Sequence, residues 1–407
     1  MNYSYVRKVY RKCVEGGMNV PMPHHKIFTC VDLFCGAGGL SQGFRQNGFD
    51  VLAANDFDSS AAETYRASHP DTVFLEGPVE EVNSSRLFAA THLPPGALDC
   101  LIGGPPCQAF SVYNHQRGMH DERSGLFREY LRIVEDLMPK FVVMENVTGI
   151  FSVGNGRAVE EIHARLGQLG YAVQQKVLRA EDYGVPQERR RAFFVGSRMN
   201  GSAFDFPEPT HGTAARPFVT VRDAIYDLPA LGIDEGEDES EYTSGPLSEY
   251  QRQIRIGTSK LFNHVAPHLA PINMERLKYI PQGGSWRDVP TQLLPAGMKR
   301  ARRCDHTKRY GRLHPDGLAC TILTKCDLHW GAYIHPTQER TLTVREAARL
   351  QSFPDRIRFY GSRVEQFRQV GNAVPVMLAE AIAKSVRCFL LKAEKCEESS
   401  CVSIQPT

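Results

Sequence analysis

The segment Gly103-Gly104-Pro105-Pro106-Cys107-Gln108-Ala109-Phe110-Ser111 places one thiol just past the apolar run Leu98-Asp99-Cys100-Leu101-Ile102, which reads as a buried strand. The glycines let the chain turn tightly and the two prolines fix φ where the thiol emerges, a stiffness that suits a reacting atom. A free cysteine is ordinarily a small buried hydrophobe, and that is the better reading for most of the eleven cysteines here. Cys107 reads as a nucleophile because three other segments fit it. In the first, Val31-Asp32-Leu33-Phe34-Cys35-Gly36-Ala37-Gly38-Gly39-Leu40 carries an apolar strand through a glycine turn into a helical pattern, which is how a nucleotide-like cofactor is held. Asp56, at the end of the next strand pattern and about 20 residues on, is placed to take ribose hydroxyls, with Phe57 beside it for an adenine face or for core packing. In the second, the apolar run Phe141-Val142-Val143-Met144 leads straight into Glu145, a carboxylate that is costly at the tip of a buried strand unless it is employed. A helix cap or an ion pair is the plainer use for it. In the third, Gln187-Glu188-Arg189-Arg190-Arg191 precedes the strand pattern Ala192-Phe193-Phe194-Val195-Gly196, so that Gln187, Arg189 and Arg191 share one face; a solvated basic turn is the ordinary reading of such a run.

Taken in this order, and with the late segment Gly371-Asn372-Ala373-Val374-Pro375, the chain resembles the DNA (cytosine-5) methyltransferase family over about residues 27–387. The resemblance implies S-adenosylmethionine as cofactor, cytosine in double-stranded DNA as substrate, and an α/β class I methyltransferase fold. That fold is a Rossmann-like doubly wound sheet with a smaller, mostly irregular and β target-recognition domain. It implies Cys107, Glu145, Arg189 and Arg191 as catalytic residues, with Glu145 on N3 and the exocyclic amine and Arg191 on O2 and the thiol loop. The cofactor-binding candidates are Phe34, Gly36, Gly38, Gly39, Leu40, Asp56, Phe57, Val79, Pro105, Leu126, Asn372 and Ala373. Pro78 stands where many relatives carry an aspartate for the adenine amine, which leaves that group to backbone atoms or to Glu76 or Glu80.

The residue chemistry supports the same reaction. Carbon 5 of cytosine is a poor nucleophile until something adds at carbon 6; a thiolate can add there and leave again. Cys107 needs cationic neighbours, a base or a helix N-terminus to raise its thiolate fraction, and Arg189 and Arg191 supply positive charge. As the ring accepts the thiolate, negative charge grows on the N3 and O2 side, where a protonated Glu145 donates. The carbon 5 proton then leaves to water and the thiol is eliminated. No metal is needed, and the cysteines form no C-x-x-C pair or zinc spacing. A base in a duplex must be extruded to meet these groups. The segment 112–125, with Gly118 and Gly125 as hinges, matches the family's mobile catalytic loop. Ser111, Tyr113 and Gln116 are DNA-binding candidates there.

The elements that must position these groups fall into two lobes. Residues 26–197 alternate strand and helix patterns, as a parallel sheet requires, and form the catalytic and cofactor-binding domain. Residues 198–340, punctuated by proline and glycine, form the target-recognition domain; 341–392 are C-terminal helices returning to the catalytic domain; 1–25 and 393–407 are an extension and a polar tail. Net charge is only +2, so composition alone announces no nucleic-acid binder. Its distribution says more: the basic run holding Arg300, Arg302 and Arg303 is expected to meet phosphates, and the acidic run Asp234 to Glu241 to face solvent. Gln282-Gly283-Gly284-Ser285-Trp286 is a candidate base-reading loop, and Arg312 with Thr321 and Ile322 a structural brace. No apolar run is long enough to span a bilayer, and the first 25 residues lack the apolar stretch of a signal peptide. A reduced thiol suits a cytoplasmic protein. A monomer is expected, and the resemblance to the methyltransferase family implies a cognate restriction endonuclease as partner. Two other readings stay open on the sequence alone: the same chemistry on transfer RNA, and a catalytically silent DNA-binding regulator.

Overall fold

The computed structural model describes residues 26–106, 125–199 and 203–402, with side chains to residue 396. Seven strands form one sheet in the order β3-β2-β1-β4-β5-β7-β6: β1 (Phe28–Leu33), β2 (Phe49–Asp56), β3 (Val73–Glu76), β4 (Cys100–Gly103), β5 (Phe141–Asn146), β6 (Ala172–Arg179) and β7 (Arg190–Ser197). β1 to β5 are parallel, and β7 runs antiparallel to both β5 and β6. Sequence periodicity suggested a parallel sheet throughout. β7 departs from it because only residues 180–189 link it to β6, fewer than the dozen or so that a parallel crossover needs.

The strands alternate faces, and each face buries its own apolar set. Phe28, Cys30, Val51, Ile102, Val143 and Phe193 pack with Phe44 of helix Gly39–Arg45 and with Leu378, Ile382 and Val386 of helix Val376–Val402. On the opposite face Val31, Leu33, Leu101, Val142 and Phe194 meet Leu131 and Val134 of helix Leu126–Leu137 and Ile162 of helix Arg157–Gln168. Among the described residues, no helix is long and apolar enough to cross a membrane.

Beyond β7 the chain is largely irregular, with short helices and one antiparallel pair, β8 (Gly236–Glu241) and β9 (Lys260–Val265). It has a core of its own in Leu277, Ile280, Trp286, Met298, Tyr310, Leu328 and Ile334. Helix Val344–Leu350 joins Val221, Ala224, Leu261 and Phe353 in a further apolar cluster. It therefore packs on the second lobe, whereas helix Val376–Val402 packs on the sheet.

A charged network runs through this junction. Arg349 bonds Asp355 at 2.7 Å and Asp227 at 2.5 Å, and all three side chains are fully buried. Burial alone pushes the Asp355 carboxyl up, but Arg349 and Arg345 outweigh it and hold the group below its ordinary value. Removing one member leaves buried charge uncompensated. Arg349→Met is expected to lower unfolding free energy by about 3–5 kcal/mol, read as a shifted urea midpoint at unchanged slope. An unmoved midpoint would mean that Arg255 and Arg345 suffice for the two carboxylates.

Candidate active site

The carboxyl ends of the parallel strands carry the turns that matter, and the strand order reverses between β1 and β4, where open α/β sheets bind ligands. After β1 the chain passes through Phe34 (φ 57°), Gly36 (φ 52°) and Gly38 (φ 86°) into helix Gly39–Arg45. A Cβ on Gly38 would come within 2.7 Å of His69, and one on Gly39 within 2.4 Å of the Val374 carbonyl oxygen, so segment 371–375 lies directly against this turn. A Cβ on Gly36 would meet nothing, so this stretch of backbone borders open space. Asp56, at the end of β2, accepts from the Gly36 N–H at 2.8 Å and the Asp58 N–H at 2.9 Å, one on each oxygen. Burial raises its carboxyl pKa, against those amide bonds. Phe57 beside it is 71% exposed. Asn55 donates to the Leu75 and Gly77 carbonyls and fixes the turn after β3. There the Val79 side chain is buried, Glu76 pairs with Arg66, and Glu80 is exposed. Leu126 is half-buried at the start of its helix; Asn372 is exposed and Ala373 half-buried.

Across the switch point, Glu145 ends β5 and is 8% exposed. Arg191 Nε meets its Oε1 at 2.7 Å. Burial raises the Glu145 pKa, opposed by Arg191 and then by Arg189, while burial lowers that of Arg191. Gly104 lies so close that a Cβ there would sit 2.9 Å from Glu145 Oε2. Asn146 donates to the Pro105 carbonyl at 3.1 Å. Asn146 thus holds the chain at Pro105, and Glu145 lies against it at Gly104. Cys107 itself, with Ser111, Tyr113 and Gln116, lies outside the described residues.

This arrangement can be compared with known proteins. The chain matches the family described as C-5 cytosine-specific DNA methylase over residues 28–388. It belongs to that family. Type II methyltransferase M.AgeI of Thalassovita gelatinovora is 35% identical over 424 residues, covering 88% of this chain and 98% of that protein. Type II methyltransferase M1.HphI of Haemophilus parahaemolyticus is 36% identical, covering 92% and 90%. Among solved structures, a prophage-encoded protein of E. coli assigned as a DNA modification methyltransferase superposes with TM-score 0.71 at 26% identity, covering 90% of this chain and 99% of that one. The Dnmt2 methyltransferase of S. pombe shares the fold, with TM-score 0.54 at 17% identity, covering 90% and 99%.

As a DNA (cytosine-5) methyltransferase, the chain uses its basic residues unequally. Arg189, grouped above with the catalytic residues, turns away from the site: its guanidinium donates to the carbonyls of Ile322 (2.9 Å), Gly371 (2.8 Å) and Ala373 (3.0 Å). It is fully buried and reaches Glu145 through its charge alone, so it positions rather than touches. Gln187 likewise accepts from the Ile322 N–H and donates to the Leu350 carbonyl. Arg312 donates to the carbonyls of Leu277, Ile280, His335 and Gln338, a brace within the second lobe. Arg300 is exposed, Arg302 pairs with Asp305, and Arg303 donates to the Arg287 carbonyl. The acidic run is spread along β8 and is mostly exposed. Asn146 and Gly104 had no assigned role in the sequence; the run Glu145-Asn146-Val147 and the paired glycines were visible, but the contact between them was not.

Proposed function

We propose that the enzyme methylates carbon 5 of one cytosine within a short duplex sequence, flipping the base out and forming a covalent adduct through Cys107, as the modification partner of a restriction endonuclease in the cytoplasm. The observation that carries this is the buried Glu145–Arg191 pair, with Glu145 against Gly104, three residues ahead of the proposed nucleophile.

The cofactor proposed is S-adenosylmethionine, and the residues fit it. Gly36 borders open space at positive φ, Asp56 keeps a free lone pair on each oxygen for ribose hydroxyls, and Phe57 presents an exposed ring beside it. Pro105, Leu126, Val79, Asn372 and Ala373 complete the proposed surround. When bound, S-adenosylmethionine supplies an electrophilic methyl group on its sulfonium.

Burial favours the neutral form of Glu145, so the carboxyl keeps its proton to higher pH than a free glutamic acid. With Glu145 neutral, Arg191 and Arg189 carry positive charge that Glu145 no longer offsets, which favours the Cys107 thiolate. The thiolate adds to carbon 6. Glu145 donates toward N3 as negative charge develops there, and Arg191 stabilises O2. Once carbon 5 carries the transferred methyl group, loss of its proton to water re-forms the double bond and expels the thiolate, and the N3 proton returns to Glu145.

Gly104→Ala tests the geometry. The new methyl must push the Glu145 carboxylate aside, and a misplacement of this size costs roughly 10²-fold in kcat. Thermal stability should hardly change, because the displaced atom ends a flexible side chain. Unchanged kcat would remove Glu145 from the reaction. The activity itself is tested by labelled methyl transfer to duplex DNA and, in parallel, to transfer RNA, with 5-methylcytosine mapped at base resolution. Labelled DNA with one shared context supports the proposal; label on RNA alone, or on neither, overturns it.

A further inference from the structure

The second lobe holds two loops locked together. Tyr310 N–H donates to the Leu328 carbonyl at 2.7 Å and Gly311 N–H to that of Gly331 at 3.4 Å, joining segment 309–311 to segment 328–331. Trp286 anchors the first loop through its N–H on the Arg309 carbonyl and its indole Nε1 on that of His306. The Tyr310 ring is buried and meets the ring of His329 edge to face at 5.0 Å. From this scaffold Trp330 emerges 39% exposed, with the guanidinium of Arg309 over its ring at 5.7 Å. The first loop adjoins the segment that leads into β7: Lys308 Nζ is 4.0 Å from Glu188 Oε2, three residues before Arg191.

Its neighbours are committed elsewhere. Arg302 pairs with Asp305 and Arg303 with a carbonyl, whereas the Arg309 guanidinium has no hydrogen bond or ion pair with any described residue. It borders a groove of about 390 Å³ lined also by Pro295, Met298, Arg300, His306 and His329. A guanidinium drawn to an indole ring keeps its N–H donors available to other partners. Its planar fork suits a pair of acceptors in one plane, and guanine presents such a pair, O6 and N7, in the major groove. The exposed Lys299 and Arg300, without such a platform, suit phosphate instead.

We infer that Arg309, held over Trp330, reads a guanine in the recognised duplex and is a specificity-determining residue of this methyltransferase. The inference rests on the proposal that the substrate is duplex DNA. The test is a duplex library of randomised context, methylated by wild type, Arg309→Ala and Arg309→Lys, with 5-methylcytosine read by sequencing. The wild-type context should contain a guanine at which both variants lose discrimination on the order of 10- to 100-fold, other positions being kept. The lysine variant keeps the charge, so its overall binding and its salt dependence should stay near wild type. Variants that methylate more slowly in an unchanged context would overturn the inference and make Arg309 a phosphate contact. A wild-type context that specifies no G·C pair other than that of the target cytosine would overturn it as well. Wild type that methylates no duplex would overturn the functional proposal before any variant is compared.

Discussion

Replacing Cys107 with serine is expected to abolish methyl transfer, by at least about 10⁴-fold, while leaving duplex binding intact. Near neutral pH a thiol is partly thiolate, a fraction that the proposed mechanism raises with nearby positive charge; a hydroxyl in the same place stays protonated. The change alters one atom and leaves the structural supports of the approach untouched: the Gly104 N–H on the Leu33 carbonyl, and the Pro105 carbonyl on Asn146. Binding, proposed to rest on the second lobe, has no use for a thiol. Methylation by the serine variant at a rate near wild type would remove the covalent step. Loss of binding and activity together would point to a disturbed loop instead.

Glu145→Gln should lower kcat roughly 10²- to 10⁴-fold, with little change in the affinity for S-adenosylmethionine. The amide still donates a hydrogen bond but has no proton to give, and Gly36 and Asp56 of the proposed cofactor surround lie on the other side of the switch point. The pH profile separates this role from a structural one. Burial raises the Glu145 pKa, so the protonated form persists above the usual carboxylate range and is lost as pH rises through the raised value. Wild type should therefore show a falling alkaline limb in kcat that the glutamine variant lacks. If both profiles fall together, the limb belongs to another group. If kcat and cofactor affinity drop equally, Glu145 holds the fold and not the base.

Much of the site is legible in the sequence because its parts sit where strands end. A glycine turn after one apolar run, an acid after the next and a carboxylate at the tip of a third are local patterns, and each lies at the carboxyl edge of the sheet. What was hidden depends on segments far apart in the chain. A two-residue period is the same in either direction, so the reversed course of β7 left no mark on it. The basic run 189–191 reads as a solvated turn, but Arg189 is buried because carbonyls of residues 322, 371 and 373 converge on it. Arg349 breaks the expectation that arginine lies outside in part for the same reason: Asp227 arrives from far along the chain to meet it, while Asp355, just beyond the helix, meets both Arg349 and Arg345. The indifference of Gly39 and Gly104 to conformation disguises their purpose, which is to admit Val374 and Glu145.

The covalent step is the centre of the account, and a duplex carrying 5-fluorocytosine at the mapped target cytosine tests it most directly. Fluorine cannot leave carbon 5 as a proton does, so elimination of the thiol is blocked after addition and methylation. With S-adenosylmethionine present, the account predicts a stable enzyme–DNA complex whose linkage maps by peptide mass spectrometry to Cys107. No stable complex, or one linked through any other residue, would contradict it.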